Sequence, residues 1–119
     1  MAKDILIIQR SAPYGSSLAR EGLDYVLTAA AYEQNISLLF LGDGVFQLLK
    51  NQDSQDISLK NQLSALEVLP LYDIENLYVI KEDLAERALN EDSLGLPVKL
   101  ISREESKILM NEQDHILGF

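Results

Sequence analysis

Ile5-Leu6-Ile7-Ile8 are apolar one after another, without the polar–apolar alternation of a half-exposed strand. Successive side chains of a strand point to opposite faces of its sheet. A strand of this kind needs cover on both faces, which a parallel sheet between layers of helices supplies. The spacing predicts a strand over 4–9 and further strands over 35–41, 77–80, 98–101 and 115–119. Helical patterns fall between them. One runs over 18–33, and a short one follows Gly44. A third carries Leu59, Leu63 and Leu66 and stops at Leu69-Pro70. A fourth is opened by Glu82 and Asp83, whose charges suit a helix N-terminus. The last begins at Ser102-Arg103-Glu104-Glu105, a Ser followed three residues later by Glu, which is a capping box. Strands alternating with helices define the fold class as α/β: a single three-layer domain over 1–119, with a mostly parallel five-stranded sheet and helices on both faces, as in flavodoxins. Asn51-Gln52-Asp53-Ser54-Gln55-Asp56 is wholly polar and reads as an exposed loop.

The second strand runs through Leu39-Phe40-Leu41 into Gly42-Asp43-Gly44 and out through Val45-Phe46-Gln47-Leu48-Leu49. A strand turning directly into a short helix through two glycines lies at the carboxyl end of the sheet, where open α/β folds build their sites. Asp43 is the one ionisable group in that turn. As a cap, it would bond the N–H groups of a helix opening at Gly44 or Val45. The loop over 10–17 carries Pro13, Gly15 and serines 11, 16 and 17. It reads as a phosphate cradle at a helix N-terminus, or as an ordinary turn in which Ser16 or Ser17 caps the next helix.

That next helix has an unusual apolar arc. Ala19, Gly22, Leu23, Val26, Leu27 and Ala30 form a stripe that faces the sheet, with Gly22 allowing close approach. Leu18, Tyr25, Ala29 and Tyr32 form a second stripe beside it. Together they span roughly 220°, about twice what a surface helix needs to bury. Either neighbouring segments of the same chain cover the second stripe, or a partner subunit does.

Catalytic chemistry is thinly supplied. The 119 residues include no cysteine and one histidine, His115, which excludes disulfides, thiolate chemistry and multi-histidine metal sites. No catalytic, cofactor or metal site assembles from the remaining residues. Acidic neighbours (Asp73 with Glu75, Glu82 with Asp83, Glu91 with Asp92, Glu104 with Glu105) fit helix N-termini and solvated loops. Neither a phosphate-binding GxxxxGK nor a dinucleotide GxGxxG is present. A phospho-acceptor receiver domain would need paired acids after the first strand, where this chain has Gln9-Arg10-Ser11. The formal net charge of −9 argues against direct nucleic-acid binding. No apolar run approaches the ~20 residues of a membrane span, and Lys3-Asp4 followed by four apolar residues is not a signal. The expectation is a cytoplasmic protein without membrane contact.

Ser11-Ala12-Pro13-Tyr14-Gly15-Ser16, Arg20-Glu21-Gly22-Leu23-Asp24, the run from Asp43 to Leu49, Leu71-Tyr72-Asp73-Ile74-Glu75 and the terminal Ile116-Leu117-Gly118-Phe119 stand in the order and spacing of a known group. Over essentially its whole length the chain resembles the DsrE/DsrF-like family of sulfur-relay subunits. The resemblance implies a subunit of a TusBCD-type complex, or of its sulfur-oxidiser relative DsrEFH. Such a complex passes persulfide sulfur through a TusE-like protein toward 2-thiolation of the wobble uridine in certain tRNAs. It implies TusB-like and TusD-like partner subunits, with the sulfur-carrying cysteine in the TusD-like one, where the third strand meets its helix. The matching stretch here, Tyr78-Val79-Ile80-Lys81-Glu82, has no thiol, and a persulfide needs a thiolate to form on. The expected role is therefore non-catalytic, with Leu18, Tyr25, Ala29, Tyr32 and Phe46 facing partners, no cofactor, and self-association when the chain is alone. Asp43 then has a second reading, as a general base facing a partner's thiol. The alternative is a flavodoxin-like binder of a flavin or nucleotide, using the loop over 11–17 and the turn at Asp43.

Overall fold

The computed structural model describes residues 2–32, 34–50 and 57–119, with backbone alone for 57–61. Five strands, β1 (Asp4–Gln9), β2 (Asn35–Phe40), β3 (Asn76–Ile80), β4 (Lys99–Ile101) and β5 (His115–Gly118), form one sheet in the order β4-β3-β2-β1-β5. All four pairings between these strands are parallel, with Ile5 opposite Ile36 on one side and His115 on the other. The run that predicted two-sided burial behaves so: Leu6 and Ile7 point to opposite faces and both are inaccessible.

The helices are α1 (Leu18–Ala30), α2 (Ile57–Leu66), α3 (Lys81–Glu86) and α4 (Arg103–Asn111). Right-handed crossovers settle their sides. Leu23, Val26 and Ala29 of α1, Leu66 of α2 and Leu84 of α3 share one core with Ile5, Ile7, Ile36, Leu38, Phe40, Leu77 and Val79. Leu109 and Met110 of α4 pack on the other face with Leu6, Leu39 and Ile80. The direction of travel along the sheet reverses after β4, and α4 alone crosses the opposite face.

Several boundaries differ from the sequence reading. Helix α1 stops at Ala30 because Ala31 and Tyr32 donate back to Thr28 and Ala29, tightening the last turn before β2. Residue 33 and the polar loop over 51–56 lie outside the described residues, as does the side chain of Leu59. The segment after Leu41 is a 3-10 helix, Gly42–Leu48. Three residues per turn aligns Val45 above Leu48, and both are fully buried. Pro70 does not end α2, which stops at Leu66. It stands in the first turn of a second 3-10 helix, Leu69–Tyr72, which Asp73 closes in the left-handed region at φ 62. A third 3-10 turn, Glu91–Ser93, with an Asn90–Ser93 capping box, had no counterpart in the expected elements. The Ser102–Glu105 box forms as expected: Glu105 N–H donates to the Ser102 hydroxyl and Ser102 N–H to the Glu105 carboxylate, each at 3.0 Å.

Candidate functional site

In an open sheet, the natural crevice lies where neighbouring strands send their connections to opposite faces. Here that point lies between β3, which leads into α3, and β4, which leads into α4. The Gly42-Asp43-Gly44 turn borders it. A Cβ at Gly44 would overlap the carbonyl oxygen of Gln9, so the turn is pressed onto the end of β1. Gly42 takes φ 53, a conformation few other residues hold.

The crevice is closed by charge. Asp83, on the first turn of α3, is buried. Its Oδ2 accepts the Gly42 N–H at 2.8 Å and its Oδ1 accepts from the Arg103 guanidinium at 2.6 Å. The neighbouring Glu82 carboxylate accepts the Arg103 N–H at 3.0 and 3.2 Å, capping α4 from another element. That backbone hydrogen bond, above all, holds the Glu82 carboxyl below the ordinary glutamate value. The bond from Ser102 N–H does the same for Glu105. The hydrogen bond that Arg103 donates to Asp83, above all, raises Arg103 above the usual guanidinium value. Asp43 does not cap the helix after it. Its Oδ1 takes two bonds from Arg87, at 3.1 and 3.2 Å, and it lies well exposed. The backbone dictates this: the 3-10 helix begins at Gly42 with Leu41 at its N-cap, so Asp43 is already inside the first turn. The cap on this segment is Asp83, from 41 residues away.

At the end of β1, three buried glutamines join loop, turn and α2. Gln47 Nε2 donates to Ser11 O at 2.8 Å and Gln9 Oε1 at 3.4 Å, and Gln62 Nε2 to Gln47 Oε1 at 2.9 Å. Gln9 Nε2 and Gln62 Nε2 both reach Ala19 O at 3.3 Å. A Cβ at Gly22 would come within 2.5 Å of the Gln9 amide, which accounts for the glycine on the sheet-facing stripe. Sequence reasoning passed over this network. Its one signal was a glutamine ending or interrupting each apolar run.

The expected partner-facing residues separate. Tyr32 is 73 % exposed, Leu18 43 % and Tyr25 38 %, with the Tyr25 ring 6.1 Å from that of Phe119. Ala29 is not on the surface: it is buried in the main core, because α1 sits close enough to the sheet to take it. Phe46 is half-buried. His115 is exposed on β5, across a shallow hollow from Tyr25 and Tyr32. Among the described residues no group of His, Cys, Asp or Glu is arranged to hold a metal ion, and no helix is long and apolar enough to cross a membrane.

A wholly parallel α/β sheet, with carboxylate–guanidinium pairs spanning its switch point and Tyr25 left exposed on α1, defines a doubly wound α/β domain. The chain belongs to the DsrE/DsrF-like family, whose sequence model matches residues 3–119. It is similar to the Protein TusC homologs of Vibrio parahaemolyticus, 40% identical over 92% of this chain and 93% of the relative, and of Aliivibrio fischeri, 38% identical over the same shares. Protein TusC of Buchnera aphidicola is 36% identical over 98% of this chain and 99% of its own. Among solved structures the ychN protein from E. coli superposes with a TM-score of 0.81 over the full length of both chains, at 22% identity, a likeness of fold. A protein of unknown function from Methanobacterium thermoautotrophicum follows the same fold at a TM-score of 0.69 and 12% identity.

Proposed function

We propose that this chain is a non-catalytic subunit of a cytoplasmic sulfur-relay complex of the TusBCD kind, supporting 2-thiolation of the tRNA wobble uridine. It acts as one domain beside TusB-like and TusD-like subunits, which hand sulfur to a TusE-like protein. One observation carries the reading: a chain similar to TusC proteins along nearly its whole length contains no cysteine. A sulfane carrier needs a thiolate, so the reactive group belongs to a partner. The exposed Leu18 and Tyr25 of α1 and Tyr32 just past its end support a partner-facing role for this face, since aromatic side chains with polar tips suit subunit interfaces. The ion pairs at the switch point support a structural role for the turn at Asp43. The test is a deletion strain carrying a tagged copy of the chain. TusB-like and TusD-like subunits should co-elute with the tag, and tRNA from the untagged deletion should lack 2-thiouridine. Normal thiouridine in the deletion, or a tagged chain that elutes without those partners, overturns the reading.

A further inference from the structure

A second region at the carboxyl end of the sheet has a different character from the closed switch point. Between the β1–α1 loop, α1 and α2 lies a cleft of about 500 Å³, within the range of small-molecule sites. Its floor is apolar, with Leu23, Leu27 and Ala65. Gln62, 7% exposed, is set into that floor. Both Gln62 N–H groups are taken, by Ala19 O and Gln47 Oε1, and among the described residues nothing donates to its Oε1. At one end is the N-terminus of the 13-residue α1. The backbone N–H groups of Ala19 and Arg20 have no acceptor among the described residues, and the Arg20 guanidinium on the cleft wall makes no ion pair there. Asp24, one turn further along α1, also lines the cleft.

We infer that this cleft binds a nucleoside monophosphate. Each part of such a ligand meets a group suited to it. A helix N-terminus beside a guanidinium that no described residue pairs is suited to a phosphate. A carboxylate such as Asp24 accepts from ribose hydroxyls. Leu23, Leu27 and Ala65 offer apolar lining to a base. The Gln62 oxygen, to which no described residue donates, takes one N–H donor, which every common base carries. A bare anion leaves the apolar lining and Gln62 unused, and an apolar molecule leaves Arg20 and the helix N-terminus unused. The site is independent of the sulfur-relay reading, since it touches neither the switch point nor the exposed tyrosines.

The test titrates the full chain with AMP, UMP, adenosine and inorganic phosphate, followed by calorimetry and amide NMR shifts. Saturable binding of AMP or UMP is expected, with phosphate alone weaker. Arg20→Gln should weaken the nucleotide about tenfold and leave adenosine unchanged, because one charge-assisted contact is lost. Gln62→Met should weaken nucleotide and nucleoside alike. Should that variant fail to fold, Leu27→Trp, which fills the cleft from a half-buried position on its floor, takes its place and should abolish both. No saturable binding by either nucleotide at millimolar concentration overturns the inference. So does phosphate binding as tightly as AMP, or nucleotide binding unchanged in Arg20→Gln.

Discussion

Asp83 joins three segments that the chain makes far apart: the turn after β2, the start of α3 and the start of α4. Its loss leaves the Gly42 N–H without an acceptor and the Arg103 guanidinium without its shortest contact. Asp83→Ala should destabilise the protein by about 2–3 kcal/mol, a buried-partner penalty tempered by the half-exposed arginine. Asp43→Asn loses only an exposed pair with Arg87 and should cost below about 1 kcal/mol. Urea unfolding of the two variants checks the order, and equal costs would contradict it. Glu82 and Glu105 give a pH signature. Both carboxyls are held below their ordinary value, first by the backbone N–H groups of Arg103 and Ser102 respectively. A depressed folded value means their contribution is complete above the unfolded glutamate pKa of about 4.3 and is lost as pH falls below it. Glu82→Gln should therefore flatten the acid limb of a melting-temperature profile and leave its slope near neutrality unchanged. At this scale the sequence was least legible. It drew attention to Asp43, which stands between two glycines, and treated Asp83 as one of many helix-opening acids. What distinguishes Asp83 is contact with residues 20 and 41 positions away, and no local spacing carries that. The glutamine network was hidden for the same reason.

Helix α1 is where pattern and structure agree most closely. Periodicity placed Ala19, Gly22, Leu23, Val26, Leu27 and Ala30 on the sheet; the first four are buried, while Leu27 and Ala30 are half-buried at the edge of the same core. It also marked a second stripe, of which Leu18, Tyr25 and Tyr32 remain exposed while Ala29 is drawn into the core. A 100° step cannot tell how close the helix axis comes to the sheet, and that distance decided Ala29. Tyr32 is the cleanest probe, since it is the most exposed of the three. Tyr32→Asp should leave circular dichroism and melting unchanged while weakening co-elution with the partner subunits, because an unpaired carboxylate in an interface core costs several kcal/mol, on the order of a hot-spot loss. Undiminished co-elution would move the interface elsewhere. Strands were legible because uninterrupted apolar runs have few other uses. The 3-10 helices were not: a segment of seven residues with two glycines and apolar i, i+3 spacing fits either helix type, and packing under β1 decides.

For the molecule as a whole, the absence of cysteine gives a direct test of the carrier question. Intact mass after incubation with a persulfide donor should show no added sulfur, about 32 Da, since a methionine thioether offers no thiolate. A specific adduct would mean that another group accepts sulfane sulfur. The isolated subunit, with Leu18 and Tyr32 uncovered, should also show a mass in light scattering that rises with concentration.

The pairing of Ile5 with His115 sets a timetable for synthesis. The first strand leaves the ribosome with its β2 side soon served and its other side waiting for a segment 110 residues downstream. At about 5–20 residues per second the wait is roughly 5 to 20 s. During that interval a row of bare amide and carbonyl groups on Ile5-Leu6-Ile7-Ile8 is open to any passing extended chain. Ribosome-bound nascent chains arrested before residue 115 has emerged should therefore crosslink to holding chaperones through β1. The same contacts should vanish once the last strand is released, while chains freed early should precipitate rather than accumulate as soluble fragments.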